Sequence, residues 1–161
     1  MNCRGHRIIL SGTLFTLLTI GILDAQDRMP PIPAGKMTAD QKKAVEEFRA
    51  ARSAEVTGPF IPLLRSPEVM TRARAMGDYL RYKSALPPRL SEFLILVTSR
   101  QWTQQYEWSV HYPLALNAGV KSEVARAIAE GRRPPQLTDE ESVLYDLAME
   151  IEKNQNVSDA T

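Results

Sequence analysis

One cysteine, Cys3, and two histidines, His6 and His111, are all the thiols and imidazoles in the 161 residues. Cys3 and His6 both precede a 16-residue apolar run, Ile8 to Leu23 (IILSGTLFTLLTIGIL), which follows Arg4 and Arg7 and ends near small Ala25. A basic start, a short apolar stretch and a small residue beyond it form the pattern of a secretory signal peptide, predicted over residues 1–25. Read instead as an uncleaved anchor, the run falls short of the about 20 apolar residues that cross a bilayer. Ser11, Gly12, Thr13, Thr16 and Thr19 dilute it further. The expectation is an exported protein, periplasmic or secreted, with no membrane attachment after cleavage.

A chain beginning at Gln26 has no cysteine, which excludes disulfides, thiolate ligation of metals and cysteine nucleophiles together. His111 is then the sole imidazole. One histidine with scattered carboxylates offers too few ligands of the usual kinds, so neither a metal nor another cofactor is expected. Charge of one sign is also missing. Without Arg4, Arg7 and Asp24, the 20 basic and 19 acidic residues become 18 of each, and a nucleic-acid partner, which demands a basic face, is not expected. No G-x-S-x-G elbow, H-E-x-x-H pair, glycine-rich phosphate loop or internal repeat occurs. Whatever chemistry the chain performs falls to carboxylates, imidazole and hydroxyls.

What is present is mostly helical signal. A composition 43% hydrophobic and 24% charged suits a single soluble domain. Residues 26–37 read as a Pro-rich spacer without periodicity. Thr38 and Gln41 spell a capping box ahead of Ala44, Val45, Phe48 and Ala51 at helical spacing, predicting a helix over about 39–54. "GPFIPLLRSPEVM" (58–70) reads as a loop that ends in a Ser66 cap with Pro67 at the first helical position. A second helix is predicted over about 67–84.

The run Phe93 to Val97 suits a buried strand or a buried helix on propensity alone; the lack of any partner strand favours helix. A fourth helix is predicted over about 103–117, stopped by Gly119, and a fifth from Ser122 to Glu130. A sixth opens on the capping box Thr138 and Glu141 and continues through Ile151. The predicted architecture is all-α, about six helices over residues 38–153 with a short tail at 154–161.

Within "QQYEWSVHYPLALNAG" (104–119), Glu107 and His111 stand at i and i+4 and can touch on one helix face. A carboxylate that accepts an imidazole N–H fixes the tautomer, as general acid or base catalysis requires. The plain alternative is a polar pair that a helix happens to carry. Trp102, Tyr106, Trp108 and Tyr112 crowd the same stretch and suit either pocket walls or core. Pro113, two residues past His111, either kinks the helix or ends it at Tyr112. Glu92 precedes the apolar run and must be paired or protonated if buried; the alternative is an exposed first turn.

The string "LPPRLSEFLILVTSRQWTQQYEWSVHYPLALNAGV" (86–120) resembles the carboxymuconolactone decarboxylase family, which includes the alkylhydroperoxidase D-type proteins. The likeness extends upstream through "GPFIPLLRSPEV" (58–69) and downstream through "EGRRPPQLTDEESVLYDLAMEI" (130–151). The redox branch of that family carries a glutamate, a C-x-x-C pair, a histidine four residues after the second cysteine and a glycine eight further on. Glu92, His111 and Gly119 match; the cysteine positions hold Gln104 and Glu107. Without sulfur a dithiol peroxidase cycle cannot run, and the likeness is to the cysteine-free branch, whose named activity is decarboxylation of a carboxylated muconolactone.

The resemblance implies an alkylhydroperoxidase D-like helical domain that assembles as a homo-oligomer, trimer or hexamer. It also implies a chain shortened at Thr161, since members tend to continue past this point with more helix. The implied catalytic residues are His111, Glu107 and Glu92, with His111 oriented by Glu107. Substrate contacts are expected from Arg100, Trp102, Gln104, Tyr106 and Trp108, with Arg100 or Arg81 as the cation for a substrate carboxylate. The implied substrate is a small organic acid or lactone. The rival reading is a non-catalytic binding or assembly module on the same scaffold, with Glu107 and His111 a satisfied buried pair.

Overall fold

A computed structural model describes residues 28–159; the expected signal peptide lies outside them. Seven α-helices follow in order: α1 Ala39–Arg52, α2 Phe60–Leu63, α3 Pro67–Tyr82, α4 Pro88–Gln101, α5 Gln105–Asn117, α6 Ser122–Ala129 and α7 Asp139–Asn154. No strand occurs among the described residues, and no helix among them is long and apolar enough to cross a membrane.

The capping signals act as their chemistry dictates. Thr38 Oγ1 accepts from Gln41 N at 3.2 Å while Gln41 Oε1 accepts from Thr38 N at 3.0 Å, and Thr138 and Glu141 exchange the same two bonds at the head of α7. Each box satisfies two backbone donors that a helix start would otherwise leave unpaired. Three expectations need correction. Residues 58–66 are not all loop, because Phe60–Leu63 forms one helical turn that sets the Phe60 ring edge-on to Phe48, centroids 5.1 Å apart. The Pro-rich spacer holds a 3-10 turn at Ala34–Lys36. Pro67 does start α3, but the Ser66 side chain makes no capping bond.

Two hydrophobic clusters result. Ala44, Val45, Phe48, Leu64 and Met70 join α1 and α3 with the segment between them. Phe93, Leu96, Val97, Ala115, Val120, Val124, Ala125, Ile128, Tyr145 and Ala148 join α4 to α7. The strand-or-helix ambiguity at Phe93 to Val97 is settled as helix. α4 is the central element of the second cluster, packed by α5, α6 and α7, and burial on several faces explains why its sequence lacks a clear polar side. Burying one such side chain stabilises the fold by about 1.5–3 kcal/mol relative to leaving it exposed. α3 packs against α4 and joins the two halves.

The turn between α4 and α5 positions the candidate site. α4 ends with Thr103 N bonded to Arg100 O and Gln104 N bonded to Ser99 O at 2.8 Å, the pairing of a Schellman cap. Its left-handed residue is Thr103, φ 54°, where glycine is usual. α5 closes with the same motif on Gly119, φ 99°, with Val120 N bonded to Ala115 O at 2.9 Å and Gly119 N to Leu116 O at 3.1 Å. α5 runs unbroken through Pro113, so the proline does not start a new helix.

Candidate active site

Glu92 lies on the second turn of α4, in the stretch Pro88–Gln101, and is only 7% exposed; His111 on α5 is equally buried. An exposed first-turn glutamate is therefore not what the chain builds. His111 Nδ1 and Glu92 Oε2 are 2.7 Å apart. Because a carboxylate accepts, Nδ1–H is the donor and the imidazole's Nε2 is left for other work. Glu92 Oε1 accepts from Arg81 Nη2 at 3.0 Å, and Arg81, on the last turn of α3, has its guanidinium 4.9 Å from the Tyr82 ring. Both carboxylate oxygens are thus occupied by fixed donors, the condition under which a buried carboxylate is tolerated. Arg81 Nε is buried without a hydrogen-bond partner among the described residues.

Glu107 meets His111 as the i and i+4 spacing predicts, but at the outer nitrogen and not at the one that orients the ring. Its Oε2 is 3.5 Å from His111 Nε2 and its side chain is 37% exposed. The residue that orients the imidazole is therefore Glu92 on the neighbouring helix, and Glu107 stands at the outer nitrogen. A surface groove of about 350 Å³ meets Glu107, with Leu94, Ile95, Thr98, Trp102 and Gln104 along it. His111 does not line that groove.

The expected binding residues divide between two grooves on either side of the α4–α5 turn. Trp102 and Gln104 lie with Glu107. Arg100 and Trp108 line a second groove of about 340 Å³, which Gln104 also reaches. Arg100 is held by its Nε–H to Ala129 O at 2.8 Å, at the end of α6, where a cation suits the unpaired carbonyls and the negative pole of the helix. It is not brought to His111. Trp102 donates from Nε1 to Glu152 Oε2 on α7 at 2.7 Å. Trp108 stacks on Tyr112 with centroids 5.9 Å apart and packs on the larger core. Tyr106 lines neither groove; its ring rests against the backbone at Gly58, where a Cβ would come within 1.9 Å of the hydroxyl.

Sequence spacing could not find Arg81 as the partner of Glu92, since the contact depends on how α3 meets α4. Ser99, which lines both grooves, carries no signal of its own between Thr98 and Arg100. Among the described residues, no three His, Cys, Asp or Glu side chains gather where they could hold a metal ion.

A search of curated proteins and of solved structures returns no match. The carboxymuconolactone decarboxylase family model matches residues 67–150. That span holds α3 to α6 and most of α7, and so contains Arg81, Glu92, Glu107 and His111. By this match and its all-helical, alkylhydroperoxidase D-like fold, the chain belongs to the carboxymuconolactone decarboxylase family.

Proposed function

We propose that the protein is a cysteine-free acid-base enzyme acting on a small organic acid or lactone, by decarboxylation or a closely related proton transfer. The observation that carries this reading is the 2.7 Å contact of Glu92 with His111 Nδ1, which leaves Nε2 facing the half-exposed Glu107. Glu92 positions the imidazole and Arg81 holds Glu92. Nε2, with Glu107 3.5 Å away, is then the nitrogen that gives a substrate its proton.

For a carboxylated lactone the steps balance simply. The bond from ring carbon to carboxylate breaks, carbon dioxide leaves, and the bonding pair enters the ring as a dienolate. Nε2–H delivers a proton to carbon, and Glu107, in contact with water, returns one to the imidazole. No sulfur takes part, in keeping with Gln104 and Glu107 at the positions where the family's redox branch has cysteines. Export through the segment 1–25 and assembly into a homo-oligomer belong to the same proposal; neither is needed for the proton transfer itself.

The test is a screen of the purified protein against lactones and β-keto acids, with His111→Ala alongside. Turnover by the parent protein and its loss in His111→Ala, with helicity and assembly retained, is the expected result. Turnover unchanged in the variant would remove His111 from the mechanism. A second reading, a non-catalytic module with Glu92 and His111 as a satisfied buried pair, draws on the fact that His111 lines neither groove. It predicts no turnover in the screen and a loss of stability, with no other effect, on substituting His111.

A further inference from the structure

Away from His111, the last turn of α1 and the outer face of α3 enclose a cleft of about 760 Å³ that the proposed chemistry does not use. Its charged residues are Arg52, Arg74, Lys83 and Asp78. Asp78 accepts Arg52 on Oδ1, from Nε at 2.9 Å and Nη2 at 2.7 Å, and accepts Arg74 on Oδ2 at 2.7 Å. One carboxylate therefore serves two guanidinium groups whose side chains are only 22% and 15% exposed. Among the described residues no second carboxylate pairs with Arg52, Arg74 or Lys83. Partly buried like charges held together in this way repel, and an incoming anion offsets that repulsion.

The cations are also fixed in advance. Arg52 lies over the rings of Phe48 and Phe60, at 5.3 and 4.8 Å, and Asp78 anchors both arginines, so little side-chain freedom is left to lose on binding. The remaining N–H edges of two guanidinium groups suit the flat, two-pronged shape of a carboxylate. Tyr79 and Tyr82 stand at the rim, both more than half exposed, and alanine side chains from both helices give the cleft small, apolar walls. Exposed rings beside small apolar walls suit a planar aromatic body.

We propose that the α1–α3 cleft is a binding site for a small aromatic carboxylate, with the carboxylate held by Arg74 and Arg52, drawn in further by the Lys83 ammonium at the same cleft, and the ring laid against the tyrosines. The site is separate from the acid-base centre, although Tyr82 touches both: it lines the cleft and lies 4.9 Å beneath the Arg81 guanidinium.

Titration calorimetry of the full chain with benzoate, using inorganic phosphate as the comparison anion, tests this. Benzoate is expected to bind at one site per chain, at least about tenfold more weakly in Arg74→Gln and several-fold more weakly in Lys83→Gln, and with unchanged affinity in His111→Ala. Lys83 is exposed, so its variant reports on binding even if Arg74→Gln unfolds. The absence of binding, equal affinity in parent and Lys83→Gln, or phosphate binding as tightly as benzoate would overturn the proposal. Loss of benzoate binding in His111→Ala alone would also overturn it, by moving the ligand to the acid-base centre.

Discussion

Glu92 and His111, separated by 19 residues in sequence and carried on different helices, meet at 2.7 Å in a buried contact. Glu92 is also held by Arg81, so each of its carboxylate oxygens has its own donor.

Removing Glu92 should therefore cost far more than removing Glu107. Glu92→Ala strands a largely buried guanidinium and an imidazole donor, and the loss of one member of a buried pair costs about 3–5 kcal/mol. Glu107→Ala removes a half-exposed group 3.5 Å from its neighbour and should cost no more than about 0.5 kcal/mol. Urea denaturation of both variants measures the difference. Similar losses in the two would mean that Glu92 is not the anchor of the site.

The contrast between these two glutamates also marks what the sequence could reveal. Helical spacing placed Glu107 and His111 on one face, and the capping boxes at Thr38 and Thr138 located two helix starts to the residue. Those signals are local. The orienting role of Glu92 and the part of Arg81 arise from the packing of α4 against α5 and α3, which no periodicity within one helix encodes. α2 is not legible in the sequence because a four-residue helix with Pro59 at its cap and Pro62 within it carries the same letters as a loop. Ser66 misled for a related reason: its side chain matches a cap by type, but it forms no capping bond.

Thr103 should prove to be a replaceable residue. A β-branched side chain at φ 54° crowds its own backbone, a cost of about 1–3 kcal/mol. Glycine removes that strain while giving back about 0.4–1 kcal/mol through the greater freedom of its unfolded chain. Thr103→Gly is expected to raise stability by about 1 kcal/mol, seen as a higher denaturation midpoint with an unchanged slope. A lower midpoint would show that the Thr103 side chain makes a compensating contact.

The pair Arg133 and Asp146 should give the fold a modest acid dependence. Arg133 donates to both oxygens of Asp146 and reaches Ser142 Oγ at 2.7 Å; its hydrogen bonds hold the Asp146 carboxyl below the usual carboxylate range. A carboxylate with a depressed value in the folded state contributes stability above its unfolded value of about 3.9. That contribution is lost as pH falls through the lower folded value. Since Asp146 is 46% exposed, the contribution is under about 1 kcal/mol and weakens with salt. Asp146→Asn should match this loss at neutral pH and show no difference from the parent protein once Asp146 is protonated. A gap that persisted at low pH would assign the effect to shape rather than charge.

The bond from Arg81 to Glu92 spans two helices. Arg81 belongs to α3, and Glu92 to α4, so the bond crosses the seam between the half built around Phe48 and the half built around Phe93. Any local opening that lifts α3 away from α4 releases Glu92, and with it the orientation of His111, while both cores stay folded. In hydrogen exchange this would register as an intermediate opening, cheaper than global unfolding, that silences the imidazole. The working geometry is thus a property of the docked halves together, and its population is set by how tightly they hold.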